Sequence, residues 1–261
     1  MDVGEIDAIL TSLPVAAGAW AFAAVSARLV PVVLLIPVLG GRWVGLPVRL
    51  AVAGALALAV TPAVMSGGVP PTSLAAAAGL GRDVLVGITL GFAGSLVFHA
   101  AQAGGALIDA SAGWGVNLAE DNETFQPMSR FLGLLAVVLF FAVGGHHLLI
   151  ATVVESFRVL PPLGRTVPDP TPAVISLSAS LFVLAVQLAA PAIVVTLIVD
   201  LLAGVFHRAT PGTNAFFLGL TLKGGLAVGA TFVALGVAAV ALRGQFADLL
   251  RAVQDLINTA A

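Results

Sequence analysis

The run VLVGITLGFAGSLVFHAAQAGGALI, residues 84–108, holds 25 consecutive residues without an Asp, Glu, Lys or Arg. At about 1.5 Å of rise per residue, a helix of that length crosses a hydrocarbon core of about 30 Å with some tilt. Gly87, Gly91 and Gly94, beside Ala93 and Ser95, leave a smooth face on it. The Gly87-xxx-Gly91 spacing lets a neighbouring backbone approach closely. Residues 8–27, 50–81, 131–154, 170–199 and 224–242 are charge-free in the same way.

The composition agrees with the run. Hydrophobic residues make up 59% of the 261-residue chain, charged residues 9%, and the mean hydropathy is +1.10. A soluble domain carries about 25% charged residues, and this chain has too little polar surface to cover a core of its apolar content. A bilayer removes that need. A formal net charge of −2 excludes the basic footprint of a nucleic-acid binder. The absence of cysteine excludes disulfides, thiolate zinc sites and a cysteine nucleophile. Asp2, Glu5 and Asp7 precede the first apolar run, where a secretory signal opens with positive charge, so that run is expected to stay as structure.

Six hydrophobic regions follow one another, roughly 13–39, 48–65, 83–110, 131–157, 173–206 and 214–242. Arg28, Pro31 and Pro37 interrupt the first, and proline's missing donor predicts a break or kink near 31–37. The second is expected to end near Pro62. Ser66–Pro71 and the proline-rich stretch from Pro161 to Pro172 read as non-helical connectors. The fourth region carries Gly144-Gly145-His146-His147 in its middle. Within 244–258, Phe246, Leu249, Leu250, Val253, Leu256 and Ile257 recur at helical spacing opposite a polar face, which predicts a terminal amphipathic helix. The fold class is therefore all-α and membrane-associated, built of broken helical hairpins rather than six plain rods.

The most polar interior section is 111–130. Glycines and a proline disfavour one continuous helix there, and Asp109, Glu120, Asp121 and Glu123 make the section acidic. It suits an exposed connector. Trp114 and Phe125 among flexible residues equally suit a constriction or mobile gate, because aromatics occlude a passage while glycines let the backbone move. Arg28 has apolar sequence on both sides, so it faces a channel, snorkels, or pairs with an acid from another helix. Asp109 and Asp200 lie near segment ends, where hydration or pairing satisfies them. With Glu155 they could also form a proton or ion path. Spacing alone does not establish an approach of Asp200 to Arg208.

No constellation points to catalysis. His99, His146, His147 and His207 do not form a His-Glu-x-x-His zinc pattern, and phosphate-loop, dinucleotide and nucleophile-elbow motifs are absent. No enzyme activity, cofactor or metal is expected.

The order of motifs along the chain resembles the FliR/SctT family of the bacterial type III secretion export apparatus. The match begins with Ala27-Arg28-Leu29 leading into Pro31 and Pro37, then Arg42 and Pro47-Val48-Arg49. It continues through Asp83–Gly87, where the family carries a glutamate in place of Asp83, Gly91-Phe92, Ala103-Gly104, Ile108-Asp109, Gly113 and Gly115. Gly144–Ile150, Ser156-Phe157 and Pro161 look more like the flagellar branch than the injectisome branch. Later come Ala190-Pro191, Asp200-Leu201-Leu202, Gly204, Arg208, Pro211, Asn214, Phe216 and Lys223.

The resemblance implies one export-apparatus domain over residues 1–261, in the bacterial inner membrane at the flagellar basal body. It implies partnership with FliP-like and FliQ-like membrane subunits and with an FlhB-like export switch protein, and passage of unfolded flagellar proteins as substrates. A loop near 110–125 would contribute to a plug, with Gly113, Trp114, Gly115, Asn117 and Phe125 as its gate residues. Arg28, Asp83, Asp109, Asp200, Arg208 and Lys223 would make structural polar contacts. Apolar faces would bury against partner subunits as well as the lipid bilayer, and protein can satisfy broken backbone that lipid cannot. The competing reading is a stand-alone multi-pass secondary transporter using Arg28, Asp109 or His146. Such transporters are commonly built from paired repeats, and this sequence has no clear two-half pattern.

Overall fold

The computed structural model of the chain describes residues 14–40, 44–64, 70, 72–114, 125–161, 171–209, 219, 222–236, 239–242 and 244. Among them every regular element is helical. In chain order these are α1 (Pro14–Leu35), α2 (Pro37–Gly40), α3 (Leu46–Val64), α4 (Ser73–Ala112), α5 (Pro127–Ala142), α6 (Gly145–Val159) and α7 (Thr171–Ala209). The last is α8 (Leu222–Gly236). Among the described residues four helices are long and apolar enough to cross a membrane, namely α1 from Ala17, α3, α4, and α7 from Val174; α5 and α6 meet at a sharp bend and count as a fifth only if the pair is one broken span.

Helix is the form that lets an apolar segment bond its own backbone. The hydroxyls inside these helices bond inward too. Thr61, Thr152 and Thr231 donate to the carbonyls of Ala57, Leu148 and Ala227, four residues back, at 2.7–2.8 Å. Ser95, Ser111 and Thr196 reach three residues back. These polar side chains thus meet apolar surroundings with their donors satisfied.

The helix limits refine the expected ones. Helix α1 runs through Pro31 and is interrupted at Ile36, just before Pro37. Helix α3 carries Pro62 inside its last turn and ends at Val64. Helix α4 starts ten residues ahead of the expected 83, because the alanine-rich stretch after Thr72 is helical. The Thr72 hydroxyl accepts the Ala75 N–H at 3.2 Å and caps its start. The fourth hydrophobic region divides at Val143–Gly144, where Gly144 takes the left-handed φ of 71°. Of the expected connectors, residues 66–69, 71 and 162–170 lie outside the described residues, as do residues 245–258, where the terminal amphipathic helix is expected.

The chain divides into two compact units. The first contains α1, α2, α3, α4 as far as Ser95, α6, and the start of α7 to Ser176. Here α1 packs on α2 and α3, and α3 packs on α6. Ala24, Val25 and Val32 of α1 and Ala53 and Ala57 of α3 are completely buried. Helix α4 closes on α1 backbone to backbone. A Cβ on Gly87 would collide with the Arg28 carbonyl, and one on Gly91 would sit 2.8 Å from Val32 Cα. The smooth face read in the sequence thus has α1 as its partner.

The second unit contains α4 from Leu96, α5, α7 from Leu177, and α8. Phe98 and Ile108 of α4, Leu132 and Ala136 of α5, and Leu184 and Ala189 of α7 form its buried centre. Phe98 meets Phe140 edge-on, with centroids 5.4 Å apart. Much apolar surface stays outside. Phe182 of α7 is 75% exposed and Val233 of α8 is 87% exposed, surface that needs lipid or protein against it.

Candidate functional site

In the first unit, Arg28 is fully buried and ties three helices together. Its Nη2 lies 2.5 Å from Asp83 Oδ1 on α4 and donates to the Leu160 carbonyl at 2.9 Å. Its Nη1 donates to Ser156 Oγ on α6 at 2.8 Å, and that hydroxyl in turn donates a hydrogen bond to the Val153 carbonyl at 2.6 Å. The guanidinium stacks on the Phe157 ring at 3.7 Å. Leu160 is the residue that ends α6, so a cation rests where that helix presents unpaired carbonyls. Arg82 adds a bond to the Pro161 carbonyl and lies 3.6 Å from Asp83 Oδ1. Charges that lipid would exclude are thereby held inside protein.

In the second unit, Asp109 secures both stems of the acidic section. Its carboxylate, fully buried, accepts the backbone N–H of Met128 at 3.0 Å and of Ser129 at 2.9 Å. These are donors of α5's first turn, where Pro127 opens the helix and Gln126 makes no side-chain cap. The carboxylate thus acts as a cap supplied from another helix, at the positive end of the α5 dipole. On the other stem, the Asp109 carbonyl accepts the Trp114 N–H at 2.9 Å and the Ala110 carbonyl accepts the Gly113 N–H at 3.2 Å. Gly113 has φ of 83°, and this pair of bonds is the Schellman ending of α4. Ser129 Oγ returns a bond to the Gln102 carbonyl at 2.9 Å.

Next to that base, Trp114 and Phe125 meet edge-on with centroids 6.2 Å apart. Phe125 is 62% exposed, and the face of α8 at Gly224 lies against the indole. Next to Gly224, Lys223 Nζ pairs with Asp200 Oδ1 of α7 at 2.7 Å. Gly113, Trp114, Phe125, Asp109, Asp200 and Lys223 are therefore all in the second unit, while Arg28 and Asp83 meet in the first. Arg208 is exposed on the last turn of α7, and the acid it was weighed against, Asp200, meets Lys223 instead. Gly115 and Asn117 lie outside the described residues.

Sequence reasoning passed over Arg82, Ser156 as a ligand of Arg28, Ser129 and Gly224. A hydroxyl or a carbonyl carries no signature in sequence. Gly224 had one available signal, its place beside the sole charge of α8. Among the described residues no three His, Asp or Glu side chains gather in a way that could hold a metal ion. His146 and His147 lie side by side with centroids 3.9 Å apart and ring planes tilted by 40°.

Long apolar helices, buried charge held by protein, and a polar loop base define a multi-pass helical membrane protein with interior polar joints. Residues 19–249 match the model of the family described as bacterial export proteins, family 1. The chain belongs to that family. It is 29% identical over 245 residues to the flagellar biosynthetic protein FliR of Caulobacter vibrioides, covering 91% of this chain and 94% of that one. It is 27% identical over 237 residues to FliR of Escherichia coli, covering 88% and 90%. The surface presentation of antigens protein SpaR of Salmonella typhimurium is 28% identical over 206 residues, covering 77% and 78%. The chain is thus an inner-membrane, multi-pass protein of the flagellar basal body. It is a non-catalytic structural component of a type III export apparatus, acting in association with other components of that machinery.

Proposed function

We propose that the chain, as one export-apparatus domain over residues 1–261, is a structural and gating subunit of the flagellar type III export apparatus. In this reading FliP-like and FliQ-like subunits cover its exposed apolar faces, and an FlhB-like switch protein works beside it. Unfolded flagellar proteins are the cargo, and the loop from Gly113 to Phe125, including Gly115 and Asn117, closes the passage. The observation that supports it best is the pairing of Trp114 with Phe125 at 6.2 Å, next to the stems that Asp109 secures. A gate needs a bulky closure on a firm base, and glycines beside the bulk let it swing aside.

The experiment is Trp114→Ala, alone and with Phe125→Ala, in the assembled complex. The expected result is a closed-state ion conductance raised at least severalfold, or export reduced, with normal subunit co-purification. Wild-type conductance and wild-type export in an intact complex would sink the gating role and leave a purely structural one.

A further inference from the structure

We propose that Gly224 of α8 is the seat on which Trp114 rests, and that the Asp200–Lys223 ion pair is the brace that holds this seat in place. The consequence for export rests on the gating role proposed above; the seat and brace do not.

A Cβ on Gly224 would come 2.7 Å from Trp114 Cζ2 and 3.0 Å from its Nε1. The indole therefore lies on bare backbone, at a distance that excludes every other residue type unless the ring moves. It also meets Phe125, so two separate segments of the second unit hold one side chain. Gly224 itself is buried, whereas a Cβ on Gly225, Gly229 or Gly236 of the same helix would meet nothing within 4 Å. The close approach is specific to the position facing Trp114, and the glycine content of α8 does not account for it.

The brace follows from charge. Lys223 is the sole charged residue of α8, and its side chain, 17% exposed, brings its ammonium to 2.7 Å from Asp200 Oδ1 on α7. The pair fixes α8 to α7 one residue before the seat. At the other end of α8, Phe232 rests on Phe131 of α5 with centroids 5.6 Å apart. Helix α8 is thus pinned at one end by rings and at the other by the ion pair. The Asp200 side chain is 53% exposed, so water and salt compete for the charged pin. Loss of that bond frees the Lys223–Gly224 end to shift, and the indole loses its seat.

The test uses the assembled complex with 5-fluorotryptophan placed at position 114 and read by fluorine NMR. Gly224→Ala is expected to move the resonance towards its solvent-exposed position. Asp200→Asn should move it in the same direction, and the exchanged pair Asp200→Lys with Lys223→Asp should bring it back. An unmoved resonance in Gly224→Ala, with co-purification intact, overturns the seat. Should Gly224→Ala fail to assemble, Asp200→Asn decides: an unmoved resonance overturns the proposal and a moved one supports it. Failure of the exchanged pair to restore the signal overturns the brace. Conductance measured on the same samples separates the two ideas. A moved resonance with wild-type conductance and wild-type export keeps the seat and removes the gating role of Trp114.

Discussion

Arg28 is the residue on which the first unit depends most. Its guanidinium serves Asp83, Ser156 and the Leu160 carbonyl together and stacks on Phe157. A lysine has neither the planar fork nor the reach to do all of that. Arg28→Ala leaves Asp83 charged and buried, and is expected to destabilise the protein by about 3–5 kcal/mol. Arg28→Lys should recover only part of this. The double variant Arg28→Met with Asp83→Leu should be more stable than either single change, because it removes both charges together. Thermal unfolding of the assembled complex checks the order. A double variant weaker than Arg28→Ala would show that the pair contributes more than mutual compensation. Sequence alone left Arg28 facing a channel, snorkelling or pairing, since apolar neighbours say that a charge needs a partner and not which one. Asp83 entered only through resemblance, 55 residues away.

At the scale of the element, the junction between α4 and α5 depends on a cap that no local pattern announces. Asp109 lies 19 residues before Met128, so the usual signs at the start of α5 are missing and only Pro127 marks it. Reading Asp109 as a segment-end acid satisfied by hydration or pairing identified its need for partners, and the partners are backbone N–H groups. Asp109→Asn keeps one acceptor and turns an amide donor towards another donor; the expected loss is about 1 kcal/mol. Asp109→Ala orphans one buried and one half-buried donor and should cost on the order of 2 kcal/mol. Hydrogen exchange at Met128 and Ser129 is the direct measurement, and both amides should exchange faster in either variant. Unchanged protection would remove Asp109 from its capping role. The early start of α4 and the split at Gly144 were less legible. The alanine-rich run after the Ser66–Pro71 connector falls between the apolar regions read as 48–65 and 83–110, and a paired glycine inside apolar sequence fits a bend or a continuous helix equally well.

Over the whole molecule, length and exposure govern what the chain requires of its surroundings. Helices α4 and α7 hold 40 and 39 residues, about 60 Å each at 1.5 Å per residue, roughly twice a hydrocarbon core. Much of their apolar surface therefore has to meet protein, which gives the charge-free stretches a use beyond spanning. Co-expression with FliP-like and FliQ-like subunits is expected to raise the unfolding temperature and protease resistance of the chain through linkage. A monodisperse, protease-resistant chain purified without them would contradict this. The joint at Arg28 also imposes an order in time. Its hydroxyl partner Ser156 lies 128 residues downstream. At roughly 5–20 residues per second, synthesis takes on the order of ten seconds to deliver it. Asp83, 55 residues downstream, arrives sooner to balance the charge, but the guanidinium lacks its remaining hydrogen-bond partners until Ser156 and Leu160 follow, so α1 settles into its final packing only after α6 has been made.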